Sequence, residues 1–465
     1  MTEFLTAAQA AQRLGVKPAT LYAYVSRGVL SRDKATDGRA SLFDPEEVER
    51  LARRGRPRRP AGTADITVES AITEIAGDRL RYRGCDVTRL AVTRGFEDVA
   101  ELLWTGEFPP ARVAQTVPWR ATPAAVAAGR AAQAALPAGT LPLERFQVIV
   151  PAMAATDPLR LHLDPPAVLA AGRSIIAGMV DCLPAPGATA PAATVPEGTA
   201  PEGTVPEVTA PEGAAPEGTA PSVSTPPASA PAGATPDLPI AERLWSRLCE
   251  RRPSPALRRA LSAALVLLAD HELAASTLAA RVAASVRADP YAVVATGMGA
   301  MSGALHGGAS LGAEALLAAA SSPEDVPRVV GELLRRGEKV PGFGHFVYRS
   351  GDPRATLLLD LVRRAAPKSA QLAVAEAVLA EVRGKYLPAP NIDFAIATMV
   401  RVAGMIRGSG EAVFAVARTA GWIAHALEAY VGPGPLRPRA VYTGRAAQAA
   451  PDALTEARPR PGARA

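Results

Sequence analysis

The feature that most restricts the fold of this chain is a segment, residues 184–239, that has little capacity to fold. It contains no Lys or Arg and six acidic residues, and it consists mostly of Pro, Ala, Thr and Gly. Its prolines recur every five residues, at Pro196, Pro201, Pro206, Pro211, Pro216 and Pro221. Proline lacks the N–H that a helix requires, and the segment offers little apolar surface to bury. We therefore expect a disordered, partly extended surface insertion, because a longer flexible loop costs little free energy. A docking tether is the alternative.

The two regions that flank the insertion, residues 65–183 and 240–445, show the periodicity of packed helices, as in Glu411 to Tyr430. The chain has 465 residues, of which 48% are hydrophobic and only 5% aromatic. This is enough apolar material for a large core, and a core of small aliphatic side chains favours closely packed helices. The composition therefore predicts an all-α fold, with a disordered Arg-, Pro- and Ala-rich tail at residues 446–465.

Residues 1–60 have the pattern of a separate small module. Thr6 can cap a helix over AAQAAQRL, and a second helix is expected from Pro18 to Arg27. A hairpin is expected from Lys34 to Phe43, and a third helix begins at Asp44. This order predicts a winged helix-turn-helix. It resembles that of MerR-type regulators, including the stretch ATLYAYV at residues 19–25.

The charge of the chain is concentrated in this module. The whole chain has a formal charge of +6, and residues 1–60 hold 12 Lys/Arg against 7 Asp/Glu, a net charge of +5. An excess of positive charge on a small terminal segment indicates contact with a polyanion, so DNA is a candidate partner. A solvated basic surface or a protein-binding appendage is the alternative.

Nothing in the sequence indicates a membrane or a disulfide-rich compartment. The first residues, MTEFLTAAQAAQRLG, lack a basic start followed by an apolar run, and no apolar stretch is long enough to span a bilayer. The three cysteines, Cys85, Cys182 and Cys249, are far apart and have no C-x-x-C spacing. We expect reduced cysteines, no metal site and a cytoplasmic protein.

Two of the five histidines stand at bends rich in glycine. His306 is followed by two glycines, and His345 follows the sequence PGFG. Glycine allows the backbone to approach a ligand closely, so both histidines are candidates to project into a cleft. His425 and His162 lack such neighbours and are expected to be packed or surface residues.

Charged residues that suit an anionic ligand surround His345. Arg349 and Arg354 follow it within nine residues. Arginine binds carboxylate and phosphate in a bidentate manner, and nearby positive charge suppresses protonation of a histidine, which then donates a hydrogen bond. Asp393 follows the Pro-rich stretch PAPNI, and by itself it would be taken as a helix cap or dipole partner.

Taken in order, these motifs resemble the citrate synthase family over residues 66–183 and 240–445. The stretches that carry the resemblance are ITVESAITEIAGDRLRYRGCDVTRLA, ADHELAASTLAARVAASVRADPYAVVATGMGAMSGALHGGA, GFGH with the following V, R and DPR, PNIDFA, RTAGWIAHALE and LRPRAVYTG. The resemblance implies a homodimer with a citrate synthase fold of large and small helical domains. Residues 65–183 would form the N-terminal part of the large domain, and 240–445 the rest of the two domains.

The resemblance implies three catalytic residues. Asp393 would be the general base that removes a proton from the acetyl-CoA methyl group. His306 would donate a hydrogen bond to the thioester oxygen, and His345 would polarise the keto oxygen of oxaloacetate. A thioester α-proton is too weakly acidic for an unaided carboxylate, so a positioned donor must meet the developing enolate charge.

It also implies a set of binding residues. Arg354, Arg418 and Arg437 of the partner subunit would hold the carboxylates of oxaloacetate, with His271 also in contact. Arg349 would touch the CoA phosphates. Neither a metal nor a bound cofactor is implied, since acetyl-CoA is a substrate.

The expected function is therefore the condensation of acetyl-CoA with oxaloacetate, with two alternatives. The first is 2-methylcitrate synthesis from propionyl-CoA, since one methylene is a weak basis for discrimination. The second is a ligand-sensing DNA-binding regulator, although a pure sensor has no need of the base Asp393. The chain departs from the family at Leu268, where many members carry His, and at Ser310-Leu311, which replaces Asn-Glu. Neither departure removes a catalytic group.

Overall fold

The computed structural model divides into two compact units, Met1–Val68 and Glu69–Ala465. The residues that it describes are 4–14, 21, 25, 30–34, 41–45, 47–48, 68–110, 119–187, 238–348, 351–438, 440 and 443–444. The predicted insertion falls mostly on 188–237, and the predicted tail on 446–465, so both lie outside the described residues.

The first unit contains a small antiparallel sheet and a short helix. Strands β1 (Leu5–Thr6), β2 (Asp33–Lys34) and β3 (Ser41–Phe43) pair in the order β1-β3-β2. The pairing of β2 with β3 agrees with the predicted hairpin. Helix α1 (Ala7–Leu14) begins as predicted, because Thr6 Oγ1 accepts a hydrogen bond from Gln9 N–H at 3.4 Å. The apolar core of this unit is Ala10, Ala11, Leu21, Leu30, Phe43 and Val48.

The second unit begins with strands that helical periodicity does not predict. Strands β4 (Thr73–Ala76), β5 (Arg79–Tyr82) and β6 (Cys85–Asp86) form an antiparallel sheet in that order. The turn between β4 and β5 is Gly77-Asp78, with φ of +56° and +58°. Positive φ at both central residues is the mark of a tight two-residue hairpin, which explains why this stretch leaves the helical pattern.

The rest of the second unit is helical in its described part, as the sequence predicts. Its helices are α2 (Val87–Thr93), α3 (Phe96–Thr105), α4 (Pro123–Ala134), α5 (Pro142–Ala154), α6 (Pro165–Cys182), α7 (Ile240–Leu248), α8 (Pro255–Leu268), α9 (Ala275–Ser285), α10 (Pro290–Met301), α11 (Gly308–Ala318), α12 (Val326–Arg335), α13 (Pro353–Ala365), α14 (Ala370–Gly384), α15 (Ile392–Ala403) and α16 (Ser409–Val431). Many begin with proline in the first turn, where its missing N–H costs nothing. None of the described helices is both long and apolar enough to cross a membrane.

Helix α16 is the central element of this core. Nearly all of its residues are buried, and it packs against α3, α6, α8, α9 and α10. A helix with apolar residues on every side is expected to be enclosed in this way, even when it also carries a few polar residues. Trp422 of α16 lies against Gly297 of α10, where a Cβ would come within 2.6 Å of the indole. The polar residues of α16 are therefore held inside the protein at defined positions.

Candidate active site

The loop that carries His345 is bound to the loop that precedes α15. Gly344 N–H donates to Ala389 O at 2.8 Å, and Asn391 N–H donates to Gly342 O at 2.9 Å. Gly342 has φ +82°, and a Cβ there would lie 2.8 Å from Phe394 Cβ. Only glycine fits this close approach, so Gly342 of the PGFG sequence allows the two loops to lie together.

Asp352 joins the starts of α13 and α15. Its carboxylate accepts from Arg354 Nε at 3.0 Å and from Arg354 Nη2 at 2.9 Å. The same carboxylate accepts from the backbone N–H of Ile392 at 3.0 Å. Both Asp352 and Arg354 are 2% exposed. This buried ion pair therefore places the Arg354 guanidinium beside the helix that carries Asp393.

Asp393 lies in the first turn of α15, which Asn391 caps. Asn391 Oδ1 accepts from Asp393 N–H at 3.0 Å. The Asp393 atom Oδ1 is removed from solvent and has no hydrogen-bond partner among the described residues. Burial raises the pKa of Asp393 to about 7, although Arg354 and Arg418 act to lower it. A carboxyl group with this pKa can both accept and release a proton near neutral pH.

His345 is oriented by the backbone that follows it. Its Nδ1 accepts from Val347 N–H at 3.0 Å. Burial, and then the charge of Arg354, lower the pKa of the imidazole. A neutral ring that accepts at Nδ1 carries its hydrogen at Nε2. His345 is therefore arranged to donate a hydrogen bond to a ligand.

His306 lies in the turn before α11, and two buried residues orient its ring. Its Nε2 is 2.8 Å from Ser276 Oγ, which also receives a hydrogen bond from Trp422 Nε1 at 3.4 Å. Since Ser276 accepts from the indole, its own hydrogen can go to His306 Nε2, and the ring hydrogen is then on Nδ1. Burial and the charge of Arg418 lower the pKa of His306 to about 4. The ring is neutral near pH 7 and has one N–H to donate.

Arg418 projects from α16 with part of its guanidinium unpaired. Its Nε donates to Leu268 O at 2.9 Å. Its Nη1 is buried and has no partner in the described part of the chain. A buried guanidinium N–H that the described residues do not engage is suited to bind an acceptor on a ligand, and a carboxylate fits a guanidinium best. Position 268 contributes its backbone oxygen to this hydrogen bond. The contact with Arg418 therefore does not depend on whether the side chain at position 268 is leucine or histidine.

His271 completes the group. Its Nε2 is 2.8 Å from Tyr348 Oη, and its ring centroid is 5.3 Å from that of His345. Burial, and then the charges of Arg354 and Arg418, hold the pKa of His271 well below its usual value. The charge of Arg354, of Arg418 or of both acts on the pKa of each of the other four groups, so these six side chains form one cluster: His271, His306, His345, Arg354, Arg418 and Asp393.

Arg437, which the resemblance also assigns to the site, does not join this cluster within the single chain. Arg437 is exposed, and its neighbour Leu436 donates through its N–H to Ser285 Oγ at 3.0 Å. Arg349 lies outside the described residues. In the part of the chain that the structure covers, no three His, Cys, Asp or Glu side chains are arranged to hold a metal ion.

The sequence analysis did not assign a role to three residues that contact the cluster, namely Asp352, Ser276 and Tyr348. Asp352 could have been found, because an Asp before Pro-Arg is a typical helix cap. Ser276 and Tyr348 had no such signal, because their partners are 30 and 77 positions away. The two other histidines are where they were expected, with His425 buried in the core and His162 exposed beside Asp164.

Comparison with known proteins gives matches over both units. Residues 62–439 match the sequence model of the citrate synthase C-terminal domain, and residues 4–56 match a helix-turn-helix domain. Citrate synthase 2 of Bacillus subtilis is 38% identical over 215 residues, which are 45% of this chain and 57% of that protein. Putative citrate synthase 2 of Mycobacterium tuberculosis is 39% identical over 206 residues, 41% of this chain and 55% of that protein. The chain spans about half the length of these relatives.

Solved structures resemble the fold over a larger share of the chain. Citrate synthase from Thermotoga maritima matches with a TM-score of 0.61 at 24% identity, over 83% of this chain and 96% of that one. Citrate synthase from Thermoplasma acidophilum, solved in a ternary complex with carboxymethyl coenzyme A and oxaloacetate, matches with a TM-score of 0.63 at 23% identity, with the same coverage. At this identity the likeness establishes the fold.

Proposed function

The chain belongs to the citrate synthase family, and we propose that it condenses acetyl-CoA with oxaloacetate and water to give citrate and free CoA. The proposal depends mainly on the state of Asp393. Its Oδ1 is buried and has no hydrogen-bond partner among the described residues, and burial raises its pKa to about 7. A carboxyl group kept in this state within a cluster of neutral histidines and buried arginines suits proton removal from a weak carbon acid. On this proposal, residues 65–183 and 240–445 build the large and small domains.

In the first step, Asp393 takes a proton from the methyl carbon of acetyl-CoA. The electron pair of that C–H bond moves to the thioester carbonyl, and the enolate oxygen receives a hydrogen bond from His306 Nδ1. Because His306 stays neutral near pH 7, it acts as a positioned donor rather than as a cation. Such a donor, fixed in advance by Ser276, stabilises charge that develops only in the transition state.

In the second step, the enol carbon attacks the keto carbon of oxaloacetate. The keto oxygen becomes an alkoxide whose charge is met by the N–H of His345 Nε2. It then takes up one proton, which balances the proton that Asp393 removed, and becomes the hydroxyl of the product. Arg418, through its unpartnered Nη1, and Arg354 bind the carboxylates and hold the ketone at attack distance. Water then cleaves the thioester, so that the acyl carbon becomes the third carboxylate and CoA leaves as the thiol.

The proposal includes a homodimer in which Arg437 of the partner subunit contacts oxaloacetate, and Arg349 contacts the CoA phosphates. The exposed position of Arg437 in the single chain suits a contact across a subunit interface. The chemistry assigned to these side chains requires no bound cofactor, since acetyl-CoA enters as a substrate and free CoA leaves as a product.

A thiol-release assay tests the proposal. The full-length protein is mixed with oxaloacetate and either acetyl-CoA or propionyl-CoA, and free CoA is measured against a reaction that lacks oxaloacetate. We expect oxaloacetate-dependent release that is fastest with acetyl-CoA and falls about a hundredfold to ten-thousandfold in Asp393→Asn. Preference for propionyl-CoA would make the enzyme a 2-methylcitrate synthase. No release with either thioester would leave the sensor hypothesis and refute catalysis.

We also propose that the first unit binds DNA. The helix-turn-helix match and the net charge of +5 over residues 1–60 support this. A dimer would present two such modules to a duplex. The test is a salt series on duplex DNA with the full-length protein and a form that starts at Thr63. Binding should require the module and weaken steeply with salt, and equal binding by both forms would refute the proposal.

A further inference from the structure

Tyr348 stands between the two histidines at the oxaloacetate end of the cluster. Its Oη is 2.8 Å from His271 Nε2, and its ring centroid is 4.7 Å from that of His345. The side chain is 4% exposed, and Arg354 Cζ lies 5.4 Å from the ring centroid. None of the roles proposed above uses this residue.

The hydrogen bond between Tyr348 and His271 has two arrangements with opposite consequences. His271 is neutral, because burial and the charges of Arg354 and Arg418 lower its pKa, so it has a single N–H. If the ring donates to Tyr348, its other nitrogen, Nδ1, presents a lone pair. If Tyr348 donates to the ring, Nδ1 carries the hydrogen. Nδ1 makes no hydrogen bond within the described residues, so it is available to a ligand in either arrangement.

A dianionic ligand favours the second arrangement. A lone pair on Nδ1 would repel a carboxylate or keto oxygen, whereas an N–H would bind it. Burial raises the pKa of Tyr348 to about 12, so the phenol keeps the hydrogen that it must donate. His345 is held in the same manner, since its Nδ1 accepts from backbone N–H groups and its Nε2 is left as the donor.

We propose that Tyr348 is a positioning residue whose hydroxyl donates to His271 Nε2 and thereby fixes the tautomer in which Nδ1–H binds oxaloacetate. This inference rests on the proposed function, because it takes a 2-oxo dicarboxylate as the ligand. Tyr348 need not touch the substrate. It acts by keeping a neutral histidine in the one protonation pattern that donates to an anion.

The first test measures oxaloacetate binding to full-length Tyr348→Phe by calorimetry. We expect Kd to rise roughly fivefold, since one hydrogen bond contributes about 1 kcal/mol, and KM for oxaloacetate to rise while kcat changes much less. The matched control is Tyr291→Phe, which removes a buried hydroxyl that donates to Asp157 Oδ2 at 2.9 Å, away from the cluster. This variant should bind oxaloacetate as the wild type does.

A double variant separates positioning from direct contact. If Tyr348 acts through His271, Tyr348→Phe combined with His271→Gln should bind oxaloacetate no more weakly than His271→Gln alone. If the loss in binding free energy of the double variant equals the sum of the losses of the two single variants, Tyr348 acts independently of His271 and the proposal is overturned.

The tautomer itself is measurable without turnover. The chain has only five histidines, so ¹⁵N-histidine NMR with His271→Gln for assignment can report the state of His271 in the free protein. We expect the hydrogen on Nδ1 in the wild type and a mixture of tautomers in Tyr348→Phe. A hydrogen on Nε2 in the wild type would overturn the inference. If the wild type binds no oxaloacetate, the proposed function fails, while the NMR result still decides the direction of this hydrogen bond.

Discussion

His425 Nε2 lies 3.4 Å from Asp270 Oδ2, with both side chains sealed from solvent. Arg281 Nη1 is 2.9 Å from His425 Nδ1, so that nitrogen accepts and Nε2 carries the hydrogen that goes to Asp270. The Asp270 carboxylate also accepts from Thr73 Oγ1 at 2.6 Å and from Glu272 N–H at 3.1 Å. These bonds link α16, α9 and strand β4 to the turn that carries His271.

Replacing His425 by Leu should destabilise the protein by roughly 1–3 kcal/mol, because the buried Asp270 carboxylate and Arg281 each lose a partner. Thermal or denaturant unfolding measures the change. The matched control is His162→Leu, since His162 has an exposed side chain beside Asp164. That variant should change stability by no more than about 0.5 kcal/mol. Equal changes in the free energy of unfolding for the two substitutions would show that the buried hydrogen bonds of His425 do not stabilise the protein.

Asp352→Ala should cost about 3–5 kcal/mol of unfolding free energy, because it leaves the buried Arg354 guanidinium uncompensated. It also removes the acceptor for Ile392 N–H at the start of α15. Asp360→Ala is the control, since Asp360 pairs with Arg363 at the surface and that substitution should cost less than about 1 kcal/mol. Comparable unfolding midpoints for the two variants would contradict the structural role of Asp352.

The rate constant kcat/KM should rise with pH through about 7, the pKa to which burial raises Asp393, because the ionised carboxylate is the base. His306, with a pKa lowered to about 4, stays neutral over this range. Ionisation of Asp393 raises kcat/KM but lowers the stability of the folded protein. A folded-state pKa raised above the unfolded value gives stability that is present at low pH and lost as pH rises through about 7.

Asp393→Asn tests this linkage directly. Relative to the wild type, the variant should gain stability between pH 5 and pH 8, since it has no buried carboxyl group to ionise. Unfolding temperatures of both proteins at the two pH values provide the measurement. A difference between the two proteins that does not change with pH would mean that Asp393 titrates at its ordinary pKa.

Arg437→Ala and His345→Ala should each abolish most activity but complement each other when mixed. If Arg437 serves the site of the partner subunit, a mixed dimer has one site with both lesions and one intact site. Random exchange then restores about a quarter of wild-type activity. The control mixes His345→Ala with Asp393→Ala, which damage the same chain's site and should not recover. No recovery in the first mixture, with exchange verified by mass, would place Arg437 outside the shared site.

Deleting residues 188–236 should leave the unfolding temperature and turnover nearly unchanged. The segment joins α6 and α7, which already contact each other through the hydrogen bond from Arg243 Nε to Asp181 Oδ1 at 3.1 Å. Its composition offers little apolar surface to pack and predicts a disordered loop, and shortening such a loop changes the free energy of closure only slightly. Aggregation or a large loss of rate would show that the segment has a structural role.

Local chemistry in the sequence determined much of the architecture. Apolar periodicity predicts α16, and Thr6 and the glycines before His345 predict a cap and a bend that the structure contains. These features depend on residues within about one helical turn of each other, so they can be recognised without knowledge of the fold. The hairpin at Gly77-Asp78 is also local, and its Gly-Asp turn was the available signal for the strands that helical periodicity missed.

Only the tertiary structure decided which polar groups meet. The contacts of Ser276 with His306, Tyr348 with His271, and Arg418 with Leu268 O join residues 30 to 150 positions apart. Such pairs form because the packing of several helices removes those groups from water, and a buried polar group then requires a partner. The same burial leaves Asp393 Oδ1 and Arg418 Nη1 without a partner in the part of the chain that the structure describes. The sequence proposed most residues of the candidate site, whereas packing determined their protonation and which of their atoms are left for a ligand.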